Sequence, residues 1–141
     1  MTDLRLLVAA IALDVDLPVV GGDQVLRLVA VVMRESVQSN ARLARFGGEE
    51  FGIILPGANR IEAVQIAETI RSSMIGRELV KRSTGESLGK VTVSLGVAEH
   101  RGGDTPASLL ERADLCMFAA KRGGRNRVVD DASITTPSQA A

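Results

Sequence analysis

Apolar residues along the chain fall into short continuous runs and longer spaced stripes, and the two kinds alternate. Leu4–Val15 (LRLLVAAIALDV) is a continuous apolar run ending in carboxylates, the pattern of a strand buried on both faces. After the short loop LPVVGG, Asp23 is placed to cap a helix over Gln24–Gln38. That helix carries one stripe of Val25, Leu28 and Val32 and another of Leu26, Ala30, Met33 and Val37, so its second face predicts cover from another element or another subunit. Arg42–Phe46 and Phe51–Leu55 read as strands around Gly47-Gly48-Glu49-Glu50, where glycines that tolerate positive φ signal a hairpin. Pro56-Gly57 ends the second strand. Asn59 and Glu62 have capping-box spacing, and Ile61, Val64, Ala67, Ile70 and Met74 predict the core stripe of the next helix.

Glu78–Arg82 predicts a further strand, followed by the polar turn Ser83–Glu86; the β-branched run Val91–Ala98 predicts a stronger one. Pro106 opens a helix to about Lys121 with Leu109, Leu110, Ala113, Met117 and Ala120 on its apolar face. Gly123-Gly124 stop it, and Arg127–Val129 is a last short strand. The order of elements predicts an α/β (α+β) sandwich: a mainly antiparallel central sheet flanked by helices, in one domain over 1–129. The small polar segment 130–141 predicts a disordered tail.

The composition, 45% apolar and 24% charged over 141 residues, is that of a soluble globular domain. Seventeen bases balance seventeen acids, so the chain has no general attraction for nucleic acid or an anionic membrane. Trp and Tyr are absent, which argues against a base-stacking surface. The single cysteine, Cys116, allows no internal disulfide, fits a reducing cytoplasmic compartment and reads as a core thiol. The run Leu6–Leu13 is too short to span a bilayer and has no basic leader. The lone His100 ends a strand and predicts no metal role.

Chemistry concentrates in Asp14, Asp16, Asp23, Glu49, Glu50, Lys121 and Arg125. Asp14 and Asp16, two apart on a strand, share a face. Should the glycine hairpin abut that strand, carboxylates converge into a site for a hard cation, for which Mg²⁺ with phosphates is the usual case. Lys121 and Arg125 flank a Gly-Gly turn and could meet those phosphates. Taken singly, each has a plainer reading: a strand end, an N-cap, a hairpin turn, solvated charges.

Together they say more. RFGGEEF followed by GIILPG, then VTVSLGVA, then LLERADLCMFAAKRGGRNRV, resembles the GGDEF family of diguanylate cyclases over about Leu4–Val129. Phe118 stands where that family usually has Tyr, and LDVD with GGDQVLRLVA resembles its "D-[IV]-D-x-F-K-x-x-N-D-x-x-G-H-x-x-GD-x-x-L" stretch with the middle missing. The resemblance implies a nucleotidyl-cyclase, palm-like fold and a bacterial signalling enzyme that condenses two GTP into cyclic di-GMP with release of pyrophosphate. It implies Mg²⁺ (or Mn²⁺) on Asp14, Glu49 and the Val15 carbonyl, with Glu49 or Glu50 activating the ribose 3′-hydroxyl. Gly48 would let the hairpin backbone approach the nucleotide, Asp23 would read the guanine edge, and Lys121 and Arg125 would hold the terminal phosphates. It also implies a catalytic homodimer and a sensory domain that is separate or missing.

The departures carry expectations too. Leu17-Pro18-Val19-Val20 runs almost directly into Gly21-Gly22-Asp23, so the "F-K-x-x-N" segment has no counterpart and the loop Lys falls at Val19. Pro18 has no N–H to offer a phosphate. The family's N-terminal "D-x-L-T-x-L-x-N-R" helix motif is absent as well. These losses predict a weak cyclase; the alternative is an inactive GGDEF domain serving as a GTP-binding, dimerisation or regulatory module. A polymerase-like palm or adenylyl cyclase domain shares the architecture, but GGEEF with GRN argues against it. Gln38-Ser39-Asn40-Ala41 occupies the place of the family's product-binding "R-x-x-D" motif and offers neither the guanidinium nor the carboxylate, which predicts no product inhibition there.

Overall fold

In the structure, a computed structural model, the described residues are 7–16, 22–46, 49–80 and 83–133, with the backbone alone at Gly22 and Leu88. Strand β1 (Val8–Asp16) lies in the middle of a five-stranded sheet. Its neighbours are β3 (Glu50–Pro56) and β6 (Thr92–Glu99), both antiparallel to it. Beyond them lie β2 (Arg42–Arg45) and β7 (Val128–Asp130), giving the order β2-β3-β1-β6-β7. Among the described residues only the β6–β7 pair is parallel, and helix α3 (Pro106–Arg122) is its crossover. The sheet is therefore mainly antiparallel, as the order of elements predicts.

Helices cover both faces of β1, which is why its sequence shows no polar alternation. Ile11, Leu13 and Val15 enter the main core with Val25, Val29, Val32 and Met33 of α1 (Gly22–Ser36) and Ala63, Ala67, Ile70 and Met74 of α2 (Arg60–Ile75). Ala10 and Ala12 face the other way and pack on Leu109, Ala113 and Met117 of α3. A Cβ built on Gly96 of β6 would lie 2.0 Å from the Ala113 carbonyl oxygen and 2.2 Å from the Met117 nitrogen, so the helix backbone rests directly on the strand.

Several expectations are corrected. Helix α1 starts at Gly22, so Asp23 lies in its first turn rather than at the N-cap. Its buried stripe is Val25, Val29, Val32 and Met33, against which Leu26 and Leu28 pack in part, while Val31 is 41% exposed. The Asn59 capping box is present, but Ile61 is 61% exposed. Ile61 stands about 200° around the helix from Ala63, which takes the core position instead. The strand expected over Glu78–Arg82 is β4 (Glu78–Val80), with Lys81 and Arg82 outside the described residues. It pairs with β5 (Ser87–Lys90), which the sequence reading left unassigned, in a separate two-stranded hairpin.

The segment expected to be disordered begins ordered. Asp131 is buried and accepts hydrogen bonds from the Arg112 Nε (3.2 Å) and the Glu99 N–H (3.3 Å). Arg112 also grips both oxygens of Asp104, at 3.0 and 2.8 Å, and donates to the Glu99 carbonyl at 2.6 Å. This guanidinium joins the end of β6, the approach to α3 and the residues after β7. Residues 134–141 lie outside the described residues. Cys116 is buried and free, and burial, aided by Asp131 and Asp130, pushes its thiol up to about 12.

Candidate active site

The C-terminal end of β1 is a meeting point for the sheet, the hairpin and α3. Asp14 stands directly opposite Glu50 of β3 on one side and Ser94 of β6 on the other. Directly paired residues point to the same face, so the Asp14 and Glu50 carboxylates share one side of the sheet. Alternation from Ala10 and Ala12 makes it the α3 side, where Asp16 also lies. The Glu49 carbonyl accepts the Val15 N–H at 3.4 Å, and the Phe46 N–H closes the hairpin on the Glu50 carbonyl at 2.8 Å. The hairpin thus abuts β1 at Asp14. Gly47 and Gly48 fall outside the described residues.

Lys121, in the last turn of α3, donates to Asp14 Oδ2. A cation there also suits the negative end of the helix dipole. Asp14 Oδ1 is buried and has no hydrogen-bond partner among the described residues. Asp114, seven residues before Lys121 and so on the same side of α3, adds a further carboxylate to the neighbourhood. Its pKa is raised by burial and then by Asp14. Glu50 is raised too, by burial first, then Asp114 and Asp14, with Lys121 opposing and Glu49 adding. A groove of about 350 Å³ opens between the hairpin and α3, lined among others by Ala12, Phe46, Glu50, Gly52, Leu110 and Asp114.

Arg125 and Asn126 follow the Gly123-Gly124 stop in left-handed conformations, with φ of 65° and 48°. The turn is tied to β1 through Asp16, whose carboxylate accepts the Asn126 N–H at 3.1 Å and the Arg125 guanidinium at 3.4 Å. Arg71 of α2 reaches the Asn126 side chain at 3.2 Å.

The geometry therefore gathers Asp14, Val15, Glu49, Glu50 and Lys121, with Arg125 joined through Asp16. Asp23 stands apart in the exposed first turn of α1, and among the described residues no hydrogen bond or ion pair ties it to the others. Asp114 was not singled out in the sequence, although its spacing from Lys121 places it on the same side of the helix. Among the described residues no three acidic, His or Cys side chains gather closely enough to enclose a metal by themselves. The donors present are hard oxygens, one of them a buried carboxylate oxygen lacking any partner. They fit an ion such as Mg²⁺, which takes one or two carboxylates and completes its shell with water and phosphate.

Comparison with known proteins gives the family. The family "Diguanylate cyclase, GGDEF domain" matches residues 20–127. The chain is 39% identical over 108 residues to the diguanylate cyclase VdcA of Vibrio cholerae, covering 77% of this chain and 32% of that protein. It is 42% identical over 113 residues to the response regulator PleD of Caulobacter vibrioides, covering 79% and 25%. It thus spans about a third or less of the length of these curated relatives. Among solved structures, the GGDEF domain of DgcB from Caulobacter crescentus in complex with c-di-GMP superposes with a TM-score of 0.84 at 39% identity, covering 90% of this chain and 79% of that one. The active GGEEF domain of a diguanylate cyclase from Vibrio cholerae gives 0.80 at 27% identity, covering 94% and 86%. By sequence and by fold, the chain belongs to the GGDEF family of diguanylate cyclase domains.

Proposed function

We propose that this domain condenses two GTP molecules into cyclic di-GMP, as a weak cyclase, with Mg²⁺ or Mn²⁺ as cofactor and two copies of the chain facing each other. The observation that carries the proposal is Asp14: a buried carboxylate with one bare oxygen, opposite Glu50 and paired to Lys121. Asp14, Glu49 and the Val15 carbonyl would hold the metal, which when bound neutralises phosphate charge. The chain's own groups do the rest. Lys121 exchanges Asp14 for the terminal phosphates of GTP, and Arg125 meets the same phosphates with its half-exposed guanidinium. Asp23 reads the guanine edge, and Gly48 lets the hairpin backbone approach the nucleotide.

Glu50 is the better placed proton acceptor, because it stands directly opposite Asp14 on the α3 side of the sheet, and burial first, then neighbouring carboxylates, raise its pKa. It takes the proton of a ribose 3′-hydroxyl. That oxygen bonds to the α-phosphorus of the GTP on the facing subunit, and the bond to the β-phosphate oxygen breaks in line to release pyrophosphate. The same transfer in the opposite sense closes the ring, so two GTP give cyclic di-GMP and two pyrophosphates. Holding both nucleotides in register supplies much of the rate. The cytoplasm, where GTP is available, is the compartment this reading requires. Among the described residues no helix is long and apolar enough to cross a membrane.

The shortened Leu17–Asp23 segment favours a second reading, a GGDEF domain that binds GTP or a second copy of itself in a regulatory role without turnover. One experiment separates them: incubate the concentrated chain with GTP and Mg²⁺ and resolve the products by chromatography. Slow formation of cyclic di-GMP, abolished by Glu49→Gln and by Glu50→Gln, is expected. GTP binding with no product selects the regulatory reading, and absence of both binding and product removes the cyclase and the GTP-binding role together, leaving only self-association.

A further inference from the structure

Asp16 is the most fully engaged carboxylate at the site, and nothing in the proposed chemistry uses it directly. Its side chain is 6% exposed. Oδ2 accepts from the Thr92 hydroxyl (2.7 Å) and the Asn126 N–H (3.1 Å). Oδ1 accepts from the Ser94 hydroxyl (2.8 Å) and from Arg125 Nη1 (3.4 Å). The two hydroxyls come from adjacent same-face positions of β6 and lock the carboxylate in place. The other two donors belong to the turn that carries Arg125.

That turn is conformationally costly. Arg125 and Asn126 are consecutive non-glycine residues at positive φ, a state that persists only where the surroundings over-determine it. The surroundings here are the Asp16 carboxylate, Arg71 on the Asn126 side chain, and the Arg125 N–H bonded to the Ala120 carbonyl at 3.0 Å. Asp16 is the one of these that also faces the guanidinium. The 3.4 Å contact uses a single N–H of five and leaves 49% of the Arg125 side chain exposed, with donors available to a ligand.

We infer that Asp16 is a positioning residue for phosphate binding: it holds the Gly123–Arg127 turn against the end of β1 and sets the edge that Arg125 presents to the terminal phosphates of GTP. The inference rests on the proposed function for its ligand, but not for the holding of the turn.

The test combines amide hydrogen exchange at Asn126 with calorimetric titration of GTP and Mg²⁺, in the wild type, Asp16→Ala, Arg125→Ala and the double variant. Asp16→Ala is expected to speed exchange at Asn126 and to weaken GTP binding about tenfold or more, as for a lost hydrogen bond to a charged group. In the Arg125→Ala background the same change is expected to cost little more, because it acts through that guanidinium. Should Asp16→Ala not fold, Asp16→Asn keeps an acceptor for the Asn126 N–H while removing the charge. It is expected to preserve the protection and still weaken GTP binding. Unchanged exchange in Asp16→Ala, or an equal loss of affinity with and without Arg125, overturns the inference. A wild type that binds no GTP overturns the proposed function and the phosphate role together. Exchange at Asn126 then decides alone whether Asp16 holds the turn.

Discussion

Lys121 donates its ammonium hydrogen bond to Asp14 Oδ2, while the other oxygen of the same carboxylate is buried with no partner among the described residues. In the protein alone, the cation proposed for phosphate and the carboxylate proposed for metal neutralise each other. Removing the cation should therefore do two things. Lys121→Ala leaves a buried charge uncompensated and is expected to cost about 2 kcal/mol of stability. Millimolar Mg²⁺ should then raise the melting temperature of the variant more than that of the wild type, because the ion no longer competes with the ammonium. Scanning calorimetry with and without Mg²⁺ checks both, and equal responses in the two proteins would count against a cation site at Asp14.

Gly96 tests how tightly α3 is seated. A methyl group at this position would sit 2.0 Å from the Ala113 carbonyl oxygen, and backbone cannot yield as a flexible side chain can. Gly96→Ala should push α3 off the sheet, destabilise the fold by about 3 kcal/mol or more and draw Lys121 and Asp114 away from Asp14. Urea denaturation reads the first effect. If stability falls by less than about 1 kcal/mol, the close seating of α3 is wrong.

The Arg112 clamp predicts an acid-sensitive term remote from the site. The Arg112 guanidinium first of all, then the Arg101 N–H and the Ser108 hydroxyl, hold the Asp104 carboxyl well below the usual carboxylate range, with burial opposing. A depressed folded-state pKa stabilises the fold above the unfolded value near 4, and that stabilisation drains away as pH falls towards the folded value. Arg112→Met should cost about 3 kcal/mol at pH 7 by removing the guanidinium that both Asp104 and Asp131 bond. The gap to the wild type should narrow below about pH 4, read from urea midpoints across that range. A gap independent of pH would show that packing, not charge, is what Arg112 supplies.

These residues also mark what could be read in the sequence. The run into Asp14 was legible because a central strand buried on both faces is continuously apolar. The hairpin and the Asn59 cap were legible because their signals are local. Ile61 was misplaced because an apolar residue in a first turn fits a stripe without belonging to it, and Ala63 is too small to advertise a core position. Strand β5, four residues with a glycine at position 89, has no period to detect. The partners of Asp131 and Asp16 were illegible for a different reason: Arg112 lies 19 residues from Asp131, and Arg125 lies 109 from Asp16. Only the folded topology makes those pairs.

Product inhibition should be absent at the usual place. Gln38, Ser39 and Asn40 are exposed after α1, and the Asn40 amide is turned to the Pro56 carbonyl at 3.4 Å. No guanidinium fork and no carboxylate stand at positions 38–41 to clasp guanine and phosphate. Calorimetry with cyclic di-GMP is expected to show no tight binding, and Gln38→Arg combined with Ala41→Asp is expected to create it. Tight binding by the natural chain that Gln38→Ala abolishes would contradict this.

Turnover should be limited by the segment between Asp16 and Asp23. The site skeleton of Asp14, Glu50 and Lys121 is assembled, so GTP with Mg²⁺ should be drawn in through its phosphates. Against the family pattern the segment lacks the Asn that reads guanine and the Lys that faces phosphate, and Pro18 removes one N–H. A lost charge-assisted hydrogen bond costs about 1.5–3 kcal/mol, and about 1.4 kcal/mol is tenfold in affinity. Two or three such losses should weaken GTP binding by about a hundredfold or more and blur the preference for guanine. In-line attack also needs both nucleotides held to about an ångström, so kcat should fall as well. Inserting an F-K-x-x-N-D segment after Asp16 is therefore expected to raise both affinity and rate, with Glu49→Gln silencing the repaired chain. If the natural chain already forms cyclic di-GMP as fast as the repaired one, and Glu49→Gln silences both alike, the short segment does not limit the enzyme. The substrate contacts would then have to come from elsewhere on the domain.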